Sequence, residues 1–182
     1  MKMNLPNKLT MFRIALIPLF LIILYINSGN GATNWVAFAI FCVASATDAV
    51  DGYIARKYNL ITDFGKFMDP LADKLLVCSA LIALTDLGRI FGWIVIIIIA
   101  REFIISGFRL VAAGRGKVIA AGKWGKIKTI VQMIATMLLI IDFKNIPMIV
   151  ITQIFVYAAL VLTVISLIDY FINNKEVLNG GN

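Results

Sequence analysis

The 182 residues are 61% hydrophobic and 15% charged, with 17 lysines and arginines, 10 aspartates and glutamates, and no histidine. A soluble domain is about half apolar and about a quarter charged, so the composition argues against one, and the missing histidine excludes imidazole acid–base chemistry, histidine phosphotransfer and imidazole metal ligands. The net charge of +7 would suggest nucleic acid in a soluble protein; spread between long apolar runs it reads as a membrane topology signal, and nucleic acid is not an expected partner.

In chain order, the apolar runs predict six transmembrane helices at about 9–27, 35–55, 68–87, 91–112, 126–143 and 147–172, each near the ~20 residues that cross a bilayer core. The first run lacks a small-residue cleavage site and is expected to be a retained span, not a signal peptide. The second, third and fourth carry charges that a purely structural span avoids. Connections contain turn formers, as at Ser28-Gly29-Asn30-Gly31 and Asp142 to Pro147. No internal repeat or low-complexity segment is evident, and residues 1–182 read as a single membrane domain. Cys42 and Cys78 sit in apolar runs as small hydrophobes; Trp35, Trp93 and Trp124 fall near span ends, as interfacial anchors do.

Basic residues alternate between rich and poor connections. Lys2, Lys8 and Arg13 lie at the N-terminus, Arg56, Lys57 and Lys66 in the second connection, six cations from Arg109 to Lys128 around the fourth, and Lys175 in the tail. The first connection has none, the third only Arg89 and the fifth only Lys144. By the positive-inside rule both termini are cytoplasmic. Topology and attraction to anionic lipid account for most of this charge. The fourth group (Arg109, Arg115, Lys117, Lys123, Lys126, Lys128) is denser than topology requires, which leaves an anionic ligand open beside the lipid reading.

Five of the eight aspartates fall between residues 48 and 73. On a helix, 48, 51, 52 and 55 share one face, as do 65, 69 and 73. Two helices joined by a short connection would aim the pairs Asp48/Asp51 and Asp69/Asp73 at each other at their cytoplasmic ends, with Gly52 and Ala55 leaving room beside the backbone. Each ionised carboxylate within a span costs at least ~2.5–3.5 kcal/mol on insertion scales, and four together repel. Salt bridges to Arg56, Lys66 and Lys74 would balance part of this charge. They do not explain two same-face pairs bracketed by glycines, whereas a hard divalent cation does. Oxygen-only donors favour Mg²⁺ or Mn²⁺, commonly shared with a substrate phosphate, and the spacing has room for two ions.

The run Asp48-x-x-Asp51-Gly52-x-x-Ala55-Arg56, eight residues, then Gly65-x-x-x-Asp69-x-x-x-Asp73 resembles the signature of the CDP-alcohol phosphotransferase family at every fixed position. The resemblance extends over length and span count. It implies transfer of a phosphatidyl or similar group from a CDP-linked donor to an alcohol, with release of CMP. It further implies metal ligation by Asp48, Asp51, Asp69 and Asp73, with Asp73 also the general base. Gly52 and Ala55 would admit the nucleotide, Arg56 and Thr62 would meet the phosphates of CDP-diacylglycerol, and Asn7 and Thr10, in the Asn4–Arg13 segment, would help bind CDP.

Ala100-Arg101-Glu102, Ser106, Arg109 and Gly125-Lys126-Ile127-Lys128-Thr129 are similar to bacterial members of the family whose acceptor is sn-glycerol 3-phosphate. A phosphorylated acceptor suits the cations there: Arg109, Lys123 and Lys126, with Ser106 and Arg115 nearby, though lipid headgroup contact also suits Lys123 and Lys126. Arg101-Glu102, inside an apolar span, reads as an ion pair positioning helices, and Arg101 is left out of the acceptor site. The resemblance also implies a homodimer, and the charge alternation places the active site on the cytoplasmic face of the cell membrane. Rival readings are a sibling enzyme using serine, inositol phosphate or phosphatidylglycerol, and a divalent-cation transporter, which would also carry intramembrane carboxylates.

Overall fold

The computed structural model describes residues 5–26, 31–57, 63–114 and 122–174, excluding the side chains at 5–7, 31–33, 48–57, 63–70 and 113. The described residues form six helices and no strand: α1 (Leu5–Ile26), α2 (Gly31–Lys57), α3 (Asp63–Asp86), α4 (Gly92–Gly114), α5 (Lys123–Ile141) and α6 (Ile146–Asn173). Each apolar run is therefore helical, but several helices start earlier than their runs. α3 begins at Asp63 and α5 at Lys123, because hydropathy marks what lipid tolerates whereas the helix continues for as long as its backbone bonds do. Lys8–Ile26, Lys123–Ile141 and Ile146–Asn173 are long and apolar enough to cross a membrane. Within the described side chains of α2, Asn34–Thr47 is apolar.

The chain forms two compact units. The first comprises Met1–Arg89 and Met137–Phe143, the second Ile90–Thr136 and Lys144–Asn182, so α5 contributes its last turn to the first and the rest to the second.

In the first unit α1 packs on α2 and α3, and α2 on α3. Each buries a stripe at helical spacing: Ile17, Phe20 and Leu24 on α1; Ala37, Phe41 and Ala44 on α2; Ala72, Leu76, Ala80 and Ala83 on α3. Lipid removes most of the hydrophobic drive between helices, so close approach over small residues and dispersion must hold them. The alanines permit that approach, and Phe20 and Phe41 meet between α1 and α2 with ring centroids 5.7 Å apart.

One end of this unit is closed by a polar clasp. α3 stops at Gly88, whose φ of 71° suits a residue without Cβ. The Gly88 amide donates to the Thr85 carbonyl (2.9 Å) and the Arg89 amide to that of Leu84 (2.9 Å), the paired bonds of a glycine-terminated helix. Arg89 Nη1 then donates to the carbonyls of Leu139 (3.1 Å) and Ile140 (3.0 Å). Asn34 Nδ2 donates to the carbonyl of Ile141 (3.2 Å), and the Asp142 amide to that of Leu138 (3.2 Å). The last four carbonyls of α5, orphaned by the end of the helix, are thereby all satisfied. Arg89 also faces Asp142 at 3.3 Å. Burial lowers the pKa of the Arg89 guanidinium, and Asp142 offsets part of that.

In the second unit α4 packs on α6. Phe108 meets Tyr170 and Phe171 edge-on at 6.1 and 5.4 Å. The buried line of α6 is Thr152, Val156, Ala159, Thr163, Ser166 and Tyr170. Its threonine hydroxyls donate back into the helix, Thr152 to the Met148 carbonyl (2.8 Å) and Thr163 to that of Ala159 (2.7 Å), so these two are paired without water.

Candidate active site

Short connections make α1 and α2, and α2 and α3, antiparallel neighbours. The start of α1, the end of α2 and the start of α3 therefore share the end of the first unit opposite the Arg89 clasp. α2 is helical through Lys57 and α3 from Asp63. Continuing the buried register of α2 (Ala37, Phe41, Ala44) in steps of three and four reaches positions 48, 51 and 55. Running the register of α3 back from Ala80, Leu76 and Ala72 reaches 69 and 65. Positions 48, 51 and 69 thus continue the helical registers of those buried stripes, while Asp73 follows buried Ala72 directly and is half-buried.

Of the four aspartates, only the side chain of Asp73 lies within the description; it is half-buried and engaged in an interaction. The side chains of Asp48, Asp51, Gly52, Ala55, Arg56, Asp69 and Asn7, together with Thr62 and Arg115, lie outside the described residues. Among the described residues no three His, Cys, Asp or Glu side chains cluster. The donor set itself fits a hard divalent ion: four carboxylates on two packed helices of one unit, in a chain without histidine.

α1 adds two polar groups at the same end. Thr10 and Arg13 are both fully buried and both engaged, on the stripe that continues as Ile17, Phe20 and Leu24. Thr10 was expected near the nucleotide. By charge alone Arg13 falls among the topology cations of the N-terminus. Its signal was available, since a guanidinium at the i−4 position from Ile17 sits on the packing face, where an unassisted charge would be costly.

The expected acceptor residues divide by environment. Ser106 Oγ donates to the Glu102 carbonyl at 2.6 Å. Arg109 is half-buried, and its Nε–H is buried with no hydrogen-bond partner among the described residues. Lys123 and Lys126 are exposed on the first turns of α5. Lys128, grouped with these cations in the sequence, is instead buried and bonded to Glu102 Oε1. Arg101 and Glu102 form the expected ion pair, Nη1 to Oε1 at 3.1 Å, and Arg101 Nε donates to Ser166 Oγ at 3.1 Å. Gly125 on α5 and Gly122 just before it make room for charged groups: a Cβ at Gly125 would lie 3.3 Å from Arg101 Nη2, and one at Gly122 would lie 3.2 Å from Asp169 Oδ2.

Residues 3–165 match the family model described as CDP-alcohol phosphatidyltransferase. The chain is 46% identical over 193 aligned positions to the CDP-diacylglycerol–glycerol-3-phosphate 3-phosphatidyltransferase of Bacillus subtilis (strain 168), covering 98% of this chain and 99% of that protein. It is 42% identical to a probable phosphatidylglycerophosphate synthase of Mycobacterium tuberculosis, covering 92% of this chain and 79% of that one. With the CDP-diacylglycerol–glycerol-3-phosphate 3-phosphatidyltransferase of Rickettsia typhi it shares 40% identity, over 92% and 95% of the two chains.

Proposed function

The chain belongs to the CDP-alcohol phosphatidyltransferase family, and from that premise we propose that it transfers the phosphatidyl group of CDP-diacylglycerol to sn-glycerol 3-phosphate, yielding phosphatidylglycerol phosphate and CMP for phospholipid biosynthesis. The observation that carries this reading is the 46% identity along almost the whole of both chains with the Bacillus subtilis protein named for that reaction. The intact spacing from Asp48 to Asp73 and the cations around the start of α5 support it.

The enzyme would be a six-span protein of the cell membrane with cytoplasmic termini and a cytoplasm-facing site, and would act as a homodimer. The alternation of basic connections and the three long apolar helices support the topology.

Asp48, Asp51, Asp69 and Asp73 would hold the metal. Mg²⁺ or Mn²⁺, as two ions, would supply charge neutralisation at the diphosphate and at departing CMP. The chain's own groups do the rest. Gly52 and Ala55 admit the nucleotide to the helix surface, Arg56 and Thr62 meet the phosphates, and Asn7 and Thr10 help hold CDP. Asp73 takes the proton from the attacking glycerol 1-hydroxyl. Ser106, Arg109, Arg115, Lys123 and Lys126 supply donors and charge to the acceptor's phosphate. With no histidine and no evident activated serine or cysteine, the hydroxyl attacks the donor phosphorus directly, without a covalent enzyme intermediate.

The test is CMP release from CDP-diacylglycerol with Mg²⁺ or Mn²⁺ and each alcohol in turn. Release with glycerol 3-phosphate, and not with serine, inositol phosphate or phosphatidylglycerol, is expected. A different productive alcohol would reassign the acceptor, and no release with any of them would favour a cation transporter.

A further inference from the structure

The polar network in the middle of the second unit has no role in the transfer chemistry just described. Glu102 Oε1 accepts hydrogen bonds from Arg101 on its own helix and from Lys128 on α5, while Arg101 Nε donates to Ser166 on α6. One carboxylate and one guanidinium thus join all three helices. The approach is built for them: Lys128 is about 1% exposed, Arg101 is 7% exposed, and α5 carries glycine where Arg101 Nη2 passes.

Packing between apolar helices in lipid tolerates sliding and rotation, because one apolar contact replaces another at little cost. A buried charge pair does not, since moving it leaves an unpaired ion in a low-dielectric interior. The Glu102–Lys128 bond therefore fixes the height and rotation of α5 against α4. Lys126 lies two residues before Lys128 and Lys123 lies five before it, while Arg109 lies two turns beyond Glu102 on α4. Ser106 is tied to the same turn through the Glu102 carbonyl. The relative placement of the groups proposed to receive the acceptor's phosphate is thus set by a bond that none of them makes.

We propose that Glu102 is a positioning residue for the acceptor, acting through its bond to Lys128 to hold the cations of α4 and α5 at phosphate-binding separation. This rests on the glycerol 3-phosphate reading above. It predicts that loss of the bond weakens acceptor use and leaves donor use and the chemical step largely intact.

The experiment measures KM for glycerol 3-phosphate, KM for CDP-diacylglycerol, kcat and Tm for the full-length protein in detergent, for wild type, Glu102→Gln and the double variant Glu102→Gln/Lys128→Met. Glu102→Gln removes the carboxylate that Arg101 and Lys128 share and is expected to lower Tm. The double variant removes one of those cations and is expected to recover much of that Tm. In both variants KM for glycerol 3-phosphate is expected to rise about tenfold or more, as for modest misplacement of binding groups, while KM for CDP-diacylglycerol moves less than twofold. Glu102→Asp, which keeps the charge, is expected to fall between. An acceptor KM that returns to wild type together with Tm in the double variant, or that moves only in parallel with donor KM, would overturn the inference and leave a purely structural network. Wild type that turns over with another alcohol and not with glycerol 3-phosphate would instead overturn the acceptor reading, and this inference with it.

Discussion

Arg89 is a cation in a connection that the charge alternation assigns to the side poor in basic residues. The clasp explains it. Its guanidinium spans two carbonyls of the α5 terminus and faces Asp142, so its charge is spent on a helix end. The planar fork matters, because a lysine presents a single ammonium and cannot reproduce the same spread of donors. Arg89→Leu removes two charge-assisted bonds and leaves both carbonyls and Asp142 short of a partner. It is expected to destabilise the protein by about 2–4 kcal/mol, from the worth of bonds to charged groups, with Arg89→Lys recovering only part. Thermal unfolding in detergent measures this, and an unchanged Tm for Arg89→Leu would show that water satisfies that helix end. Arg13, Lys128 and Arg89 also show what one sequence read alone conveys about cations. Helical spacing from Ile17 marks Arg13 on a packing face, whereas nothing local marks Lys128 or Arg89, whose partners lie 26 and some 50 residues away.

At the scale of elements, the helices were legible because apolar runs near 20 residues have few other uses, and the register of the aspartates was legible because three- and four-residue spacing leaves little choice of face. The polar first turns of α3 and α5 were not, since hydropathy is silent about helix that extends past lipid. Nor was the Glu102 bond to Lys128, which depends on how α5 is rotated and not on any local pattern. Small side chains at the packing stripes carry the next prediction. Ala44 is wholly buried one turn before Asp48. Ala44→Leu inserts volume between helices that touch there and is expected to cost about 1–3 kcal/mol, as overpacking does. It would also push the end of α2 from its neighbours, so the Mg²⁺ or Mn²⁺ concentration for half-maximal CMP release should rise several-fold. A metal requirement unchanged at reduced Tm would separate the packing of Ala44 from the aspartate register.

At the scale of the molecule, the proposed six-span topology can be read with single cysteines in a background lacking Cys42 and Cys78. Cysteine at Lys144 should react with an impermeant maleimide added to intact cells, and cysteine at Lys123 only after the membrane is opened. The reverse pattern would invert the protein and place the aspartates on the outer face, against any use of cytoplasmic CDP-diacylglycerol headgroups. The family, by contrast, follows from the whole chain, because the signature from Asp48 to Asp73 and the matched residues 3–165 agree.

The central claim is that the four aspartates form the metal-dependent site of phosphatidyl transfer. Its most direct measurement is CMP release from CDP-diacylglycerol and glycerol 3-phosphate with saturating Mg²⁺ or Mn²⁺, comparing wild type with Asp69→Asn. This substitution keeps size and removes one ligand charge. A fall of about a hundredfold or more is expected, in line with the loss of a metal's support to a leaving group, at a Tm close to that of wild type. Turnover equal to wild type in Asp69→Asn would contradict it.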